Sequence, residues 1–255
     1  HLALAAAALA EGVSLVEGLA PTHESEASLA VLAALGARVR RTGPQVSLHG
    51  LGQRGVLSPQ GPLALGGGDL TAALGLGLAG ILPMETRWTF PQAADVAGLL
   101  EPLRNAGAAI DLDEATLTVT GPRVPAPLDH RPANEAEALL ALLVALATPG
   151  TSSLLLPADR AEALAAPLRA FGAHVLLAED GEGARLAVTG LTRLDPRRFA
   201  VAGDPREAAW VALAALLVPK SDVTLEAVLV TPARTGLIDA LLEMGGNIDF
   251  TNQRE

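Results

Sequence analysis

Four glycine-centred steps recur along the chain: LGARV at Gly36, AGAAI at Gly107, FGAHV at Gly172 and MGGNI at Gly245. Their separations of 71, 65 and 73 residues are too regular for chance turns and point to one structural unit used several times. Each step closes an Ala/Leu-rich stretch with Leu at three- and four-residue spacing, namely ASLAVLAALG, DVAGLLEPLRNAG, AEALAAPLRAFG and GLIDALLEMGG. That spacing predicts four amphipathic helices. A glycine just past a helix supplies the left-handed cap that a residue with a Cβ adopts only at a cost. The following ARVRR, AAIDL, AHVLL and GNIDF read as strands, the first three paired with QVSLHG, TLTVTG and RLAVTG.

A second helix type lies upstream, in LAAAALAEGVSLVEG, EALLALLVALATPGTSSLLL and EAAWVALAALLVPKSDVTLEA. These stretches are apolar on nearly every face, so they belong in the centre of the fold, and each runs through a Gly or Pro turn into a strand. The unit is therefore β-α-β-α-β-β, with its opening strand weakest in the first copy. No single unit can bury an all-round apolar helix, whereas three can close around theirs and leave their sheets outside. The expected fold class is α/β (α+β), with a three-unit domain over residues 1–198. Residues 199–255, starting at the PRRFAVAGDPRE stretch, are expected to be the first unit of an incomplete second domain.

Composition narrows the function. Half of the 255 residues are hydrophobic but only 2% are aromatic, so the core must be built from many small, close contacts. There is no cysteine, hence no disulfide, thiolate ligand or cysteine nucleophile, which fits a reducing, cytoplasmic setting. A formal charge of −10, without a basic stripe or aromatic platforms, argues against nucleic acid. Lys220 is the single lysine, so an anion site must use arginines, backbone N–H groups or helix starts. The apolar stretch after His1 is too short for the ~20 residues of a membrane span. No motif calls for a cofactor.

The run GDPREAAWVALAALLVPKSDVTLEAVLVTPARTGLIDALLEMGGNIDFTNQRE resembles, in order and without gaps, the EPSP synthase stretch that starts Gly-Asp-Pro-Ser-Ser and continues through Asn-Pro-Thr-Arg-Thr-Gly-Leu. Thr231, Pro232, Ala233, Arg234, Thr235 and Gly236 stand in the second motif. The likeness runs back through LLEPLRNAGA and APLRAFGA to the first helix and is nearest to bacterial class II enzymes. It implies an enolpyruvyl-transferase-like fold and a reaction that moves the enolpyruvyl group of phosphoenolpyruvate to shikimate 3-phosphate in a cleft between two closing domains. Such chemistry needs several Lys and Arg for two phosphates and a carboxylate, with an acid and a base at the enolpyruvyl carbon.

At the positions matching those ligands the chain departs from the family. Leu2 replaces an Arg, and the phosphoenolpyruvate loop reads Ala64, Leu65, Gly66, Gly67, Gly68, Asp69 and Leu70, with Ala73 in place of an Arg. The family's Asp, Ser and Arg of the next run fall on Trp88, Phe90 and Ala94. Ser-Ala-Gln-x-Lys falls on Asn134, Glu135, Ala136, Glu137 and Ala138, and Arg-Asp-His on Ala161, Glu162 and Ala163. Arg206 and Glu207 take the place of Ser-Ser. The family's catalytic Asp, Lys and late Arg cluster belong to a C-terminal third expected beyond this sequence. Each buried Arg replaced by Ala removes a charge-assisted bond of ~1.5–3 kcal/mol, and Asp69 or Glu137 beside a phosphate would repel it. The expectation is a non-catalytic homologue. Its alternatives are a superfamily enzyme with altered substrate, needing a C-terminal part, and a scaffolding or interaction module.

Gly67 could cradle an anion ahead of the next helix, and Asn134, Arg131, Arg160 and Arg206 are the other candidates for contacting a phosphorylated small molecule; a protein partner is the other expectation. Capping explains Asn134 and Glu135 equally well. GLGLAG at Gly75–Gly80 fits G-x-G-x-x-G but lies within an apolar run rather than after a strand. His1, His23, His49, His130 and His174 are scattered, which favours surface or capping roles over metal binding.

Overall fold

The computed structural model describes the chain apart from residues 54, 91–93, 182, 231–234 and 253–255 and the side chains of residues 94, 95 and 206. Its elements begin with α1 (Leu2–Leu9), β1 (Val13–Glu17), α2 (His23–Ala34), β2 (Arg38–Thr42) and β3 (Gln45–His49). Then come β4 (Leu63–Ala64), α3 (Asp69–Ala79), β5 (Glu85–Thr89), α4 (Ala94–Ala97), α5 (Glu101–Asn105), β6 (Ala109–Leu112) and β7 (Thr116–Thr120). Next are β8 (Asp129–His130), α6 (Glu135–Ala147), β9 (Thr151–Leu156), α7 (Ala158–Ala170), β10 (His174–Asp180) and β11 (Gly183–Thr189). The last are β12 (Arg198–Ala200), α8 (Pro205–Leu217) and α9 (Gly236–Glu243).

The strands form three four-stranded sheets, ordered β12-β1-β3-β2, β4-β5-β7-β6 and β8-β9-β11-β10. In each, the hairpin of the last two strands is antiparallel, with Arg38 opposite His49, Ala109 opposite Thr120 and His174 opposite Thr189. The first sheet takes its outer strand from β12, at the beginning of the stretch read as a fourth unit. The chain returns to the sheet it left open. The compact units are His1–Phe199 and Ala200–Glu255.

The centre of the first unit is helical. Ala5, Ala6 and Ala7 of α1, Ala73, Leu74 and Leu76 of α3, and Leu140, Leu142 and Val144 of α6 are fully enclosed. GLGLAG lies within and just after α3, where it serves close packing. A Cβ at Gly75 would lie 2.9 Å from the Trp88 ring, and one at Gly77 2.8 Å from Leu143 Cβ on α6. Such distances are below normal contact, so α3 sits where only glycine lets it reach its neighbours. All four step glycines have positive φ, between 88° at Gly245 and 103° at Gly36, as left-handed helix stops require.

Three expectations need correction. DVAGLLEPLRNAG is two short helices, α4 and α5, with Pro102 in the first turn of the second; its ring suits a helix start but not an interior. GNIDF forms no strand, and the only β pairing described within 200–255 is the single bridge Gly203–Val228, because a strand persists only when a neighbour accepts its backbone bonds. Helix α8 is likewise not enclosed as α1 and α6 are: Trp210 is 59% and Leu217 74% exposed. Among the described residues no helix is long and apolar enough to cross a membrane.

Candidate functional site at the helix starts

The start of α6 holds a buried polar cluster. Parallel pairing of β8 with β9 sets His130 opposite Leu154, directly before the turn into the helix. Asn134 is the N-cap and its Oδ1 accepts the Glu137 N–H at 2.9 Å, satisfying one of the free donors of the first turn. Glu137 turns its carboxylate back over the helix start. Its Oε2 accepts the Ala133 N–H at 2.6 Å and its Oε1 lies 3.0 Å from His130 Nε2. Both side chains are enclosed, His130 at 8% and Glu137 at 4% exposure. These contacts place the Glu137 side chain at the positive end of the helix dipole.

The start of α3 repeats this arrangement with a residue from another helix. Gly68 is the N-cap with φ 116°, and Glu24, from the first turn of α2, places its Oε1 3.2 Å from the Leu70 N–H as acceptor. Glu24 is aimed there by a capping box, in which Thr22 Oγ1 and Ser25 N, and Ser25 Oγ and Thr22 N, pair at 3.1 Å each. The Thr71 hydroxyl donates to the Glu24 carbonyl at 3.1 Å and lies 2.9 Å from Ser28 Oγ, fastening α3 to α2. A Cβ on Gly67 would collide with Ala27 and come within 2.7 Å of Thr71 Oγ1. Outside this joint lies an open groove of about 410 Å³, lined by His23, Ala27, Ala30, Leu63, Gly66 and Gly67.

His1 lies near both starts. Burial pushes its α-amino group below the usual range, while the charges of Glu24 and Glu135 act in the opposite direction. Its side-chain Nε2 is enclosed and has no hydrogen-bond partner among the described residues. Glu24 of α2 and Glu135 of α6 thus both act on the charge at the start of α1. Glu24 and Glu137 already hold backbone donors at two of the helix starts.

The EPSP synthase (3-phosphoshikimate 1-carboxyvinyltransferase) family model matches residues 1–255. The chain belongs to the EPSP synthase family. It is 36% identical over 258 residues to the 3-phosphoshikimate 1-carboxyvinyltransferase of Mesorhizobium japonicum, covering 96% of this chain and 57% of that protein. The corresponding protein of a Chelativorans species is 34% identical, with 100% and 59% covered. The chain thus spans under two thirds of the length of these relatives. A solved EPSP synthase from Acinetobacter baumannii has the same fold, with a TM-score of 0.84 at 24% identity over all of this chain and 59% of its own.

Against the family pattern, several positions expected to hold ligands are core positions here. Ala73, Trp88, Ala138 and Ala161 are fully enclosed and Phe90 nearly so. Trp88 donates its Nε1–H to Thr86 Oγ1 at 2.9 Å, so even its polar atom is satisfied inside the protein. Of the residues singled out from the sequence, Asn134 caps α6 and Gly67 packs against α2. Arg131 and Arg160 are exposed, with no ion pair or side-chain hydrogen bond among the described residues. The Arg206 side chain lies outside the described residues, as do Arg234 and the Ala94 side chain. Arg131, Arg160 and Asn134 are not joined in one hydrogen-bonded site.

The reading of the histidines as scattered surface or capping groups fails at His130, which is enclosed and partnered by Glu137. The available signal was a histidine at a strand end seven residues before an acidic residue in the first turn of a helix. For Glu24 the local signal, Thr22 three residues before Ser25, located the start of α2 but not the loop that its carboxylate reaches.

Proposed function

We propose that this chain forms the three-sheet lobe of an EPSP-synthase-family protein that does not carry out enolpyruvyl transfer. The observation that supports this most directly is Glu137. Where the family resemblance calls for the Lys of the shikimate-phosphate motif, the chain has the enclosed Ala138. Next to it, the Glu137 carboxylate accepts the Ala133 N–H and pairs with His130. A phosphate approaching that helix start would meet a fixed negative charge and donors already in use. Glu24 has the same effect at the start of α3, where the phosphoenolpyruvate loop falls.

The direct test is product formation by the purified protein, as it exists in the cell, from shikimate 3-phosphate and phosphoenolpyruvate. None is expected, and turnover above a no-enzyme blank overturns the proposal. A site-resolved companion is amide NMR of the 255-residue chain: the resonances of Gly67–Leu70 and Ala133–Glu137 should stay fixed as either substrate is added. A second reading, an interaction module, draws support from α8, whose Trp210, Val211 and Leu217 lie open to solvent.

A further inference from the structure

The three sheets share one strand order, so the outer face of each is a control for the others. On the middle sheet the positions matching Arg38 and Arg40 are Ala109 and Asp111, facing Thr120 and Thr118. On the third they are His174 and Leu176, facing Thr189 and Ala187. The outward arginines of those two sheets are paired, Arg87 with Glu85 at 3.0 Å, and Arg185 with Asp129 at 2.7 Å and Asp180 at 2.9 Å.

The first sheet differs. Arg38 and Arg40 are both exposed on the same face of β2, and neither has an ion pair or side-chain hydrogen bond among the described residues. Arg38 stands opposite His49 and Arg40 opposite Ser47 on β3. The only carboxylate on that face of the neighbouring β1, Glu17, is already held by Arg198 at 2.8 Å and by Gln45 at 2.8 Å. A depression of about 320 Å³ lies over this group, with Val13 at its side. In a chain of net charge −10, two adjacent guanidinium groups without an internal counter-ion are a local reversal of sign.

We infer that the outer face of the first sheet binds a phosphate monoester, its phosphoryl group clamped by Arg38 and Arg40 and completed by donors on Ser47 and His49. Residues two apart on a strand are spaced by ~6.5–7 Å. Two long arginine side chains can converge across that distance on one phosphoryl group, each offering a planar pair of donors. The depression has room for a small carbon skeleton, and exposed Val13 gives it an apolar edge. The inference is independent of the proposed loss of family chemistry, since it concerns a different face of the lobe.

The test is amide NMR of the 255-residue chain at low salt with three probes: inorganic phosphate, glycerol 3-phosphate and the dicarboxylate succinate. Saturable shifts are expected at residues 38–40 and 47–49 with both phosphate-bearing probes and weaker ones with succinate. Tighter binding of glycerol 3-phosphate than of inorganic phosphate identifies a phosphorylated small molecule as the ligand class; the reverse order replaces it with the free anion and overturns the monoester assignment. Arg38→Gln with Arg40→Gln should weaken binding by about tenfold or more, whereas Arg87→Gln on the middle sheet should leave it unchanged. Ser47→Ala alone applies the same test with a smaller loss if the double variant is poorly folded. Shifts that do not saturate, that map elsewhere, or that persist undiminished in both variants overturn the inference.

Discussion

Truncating Glu137 to alanine is the sharpest probe of the α6 cluster. The substitution removes the Glu137 oxygens that face the Ala133 N–H and His130 Nε2. A buried donor or acceptor left without its partner costs ~1–3 kcal/mol, and two groups are stranded here. The Ala133 bond is only part-buried and water can replace some of it, so about 3 kcal/mol is expected. For a unit of this size each kcal/mol moves the melting temperature by ~2–4 °C, giving a fall of roughly 6–12 °C. Trp88 is fully enclosed in this unit, so its emission reports the transition once exposed Trp210 is replaced by Phe. Glu137→Gln keeps one acceptor and should cost only about 1 kcal/mol. Replacing both partners, as in His130→Leu with Glu137→Leu, removes the stranded groups and should recover most of the loss. A shift of about 1 °C or less for Glu137→Ala, or a double variant as unstable as the sum of its parts, would refute the reasoning.

Glu24→Ala removes the cross-helix cap of α3 and should destabilise the first unit by about 1 kcal/mol. Faster hydrogen exchange at the Leu70 amide checks this, and unchanged exchange there counts against the capping role. The acid side of the stability curve tests two surface carboxylates. Hydrogen bonds from Arg198 and then Gln45 lower the Glu17 pKa, and those from Ser153 and then Arg185 lower that of Asp129. A carboxyl group lowered on folding adds stability that is present above its unfolded value of ~4 and is lost as pH falls through the folded value. Glu17→Gln with Asp129→Asn should therefore flatten the loss of stability as the pH falls below about 4; an unaltered slope there would exclude these groups.

The parts legible in the sequence are those fixed by local chemistry. Gly36, Gly107, Gly172 and Gly245 stop helices because the left-handed turn tolerates them, and the alternation in QVSLH and TLTVT is that of strands with one face inward. What stayed hidden depends on partners distant along the chain. β12 completes a sheet begun by β1, and the glycines of α3 are explained only by Leu143 and Trp88. GNIDF has the composition of a strand, but composition cannot supply the neighbouring strand that would pair with it.

The site was half legible for the same reason. The family resemblance points to positions where cationic ligands are expected, but not to what the backbone donors at those places bind. A helix start always carries free N–H groups, and enclosed ones must find an acceptor. In a working anion site the ligand can serve; where the cations that would hold it are absent, water or an internal group must take over. At α6 that group is Glu137, and at α3 it is Glu24 reaching across from α2. On the proposed reading, Ala138 offers no cation to hold an anion at this helix start, and the neighbouring Glu137 carboxylate closes it. Restoring a lysine at residue 138 alone should therefore give no anion site, because the Glu137 carboxylate would still hold the donors and would pair with the new cation.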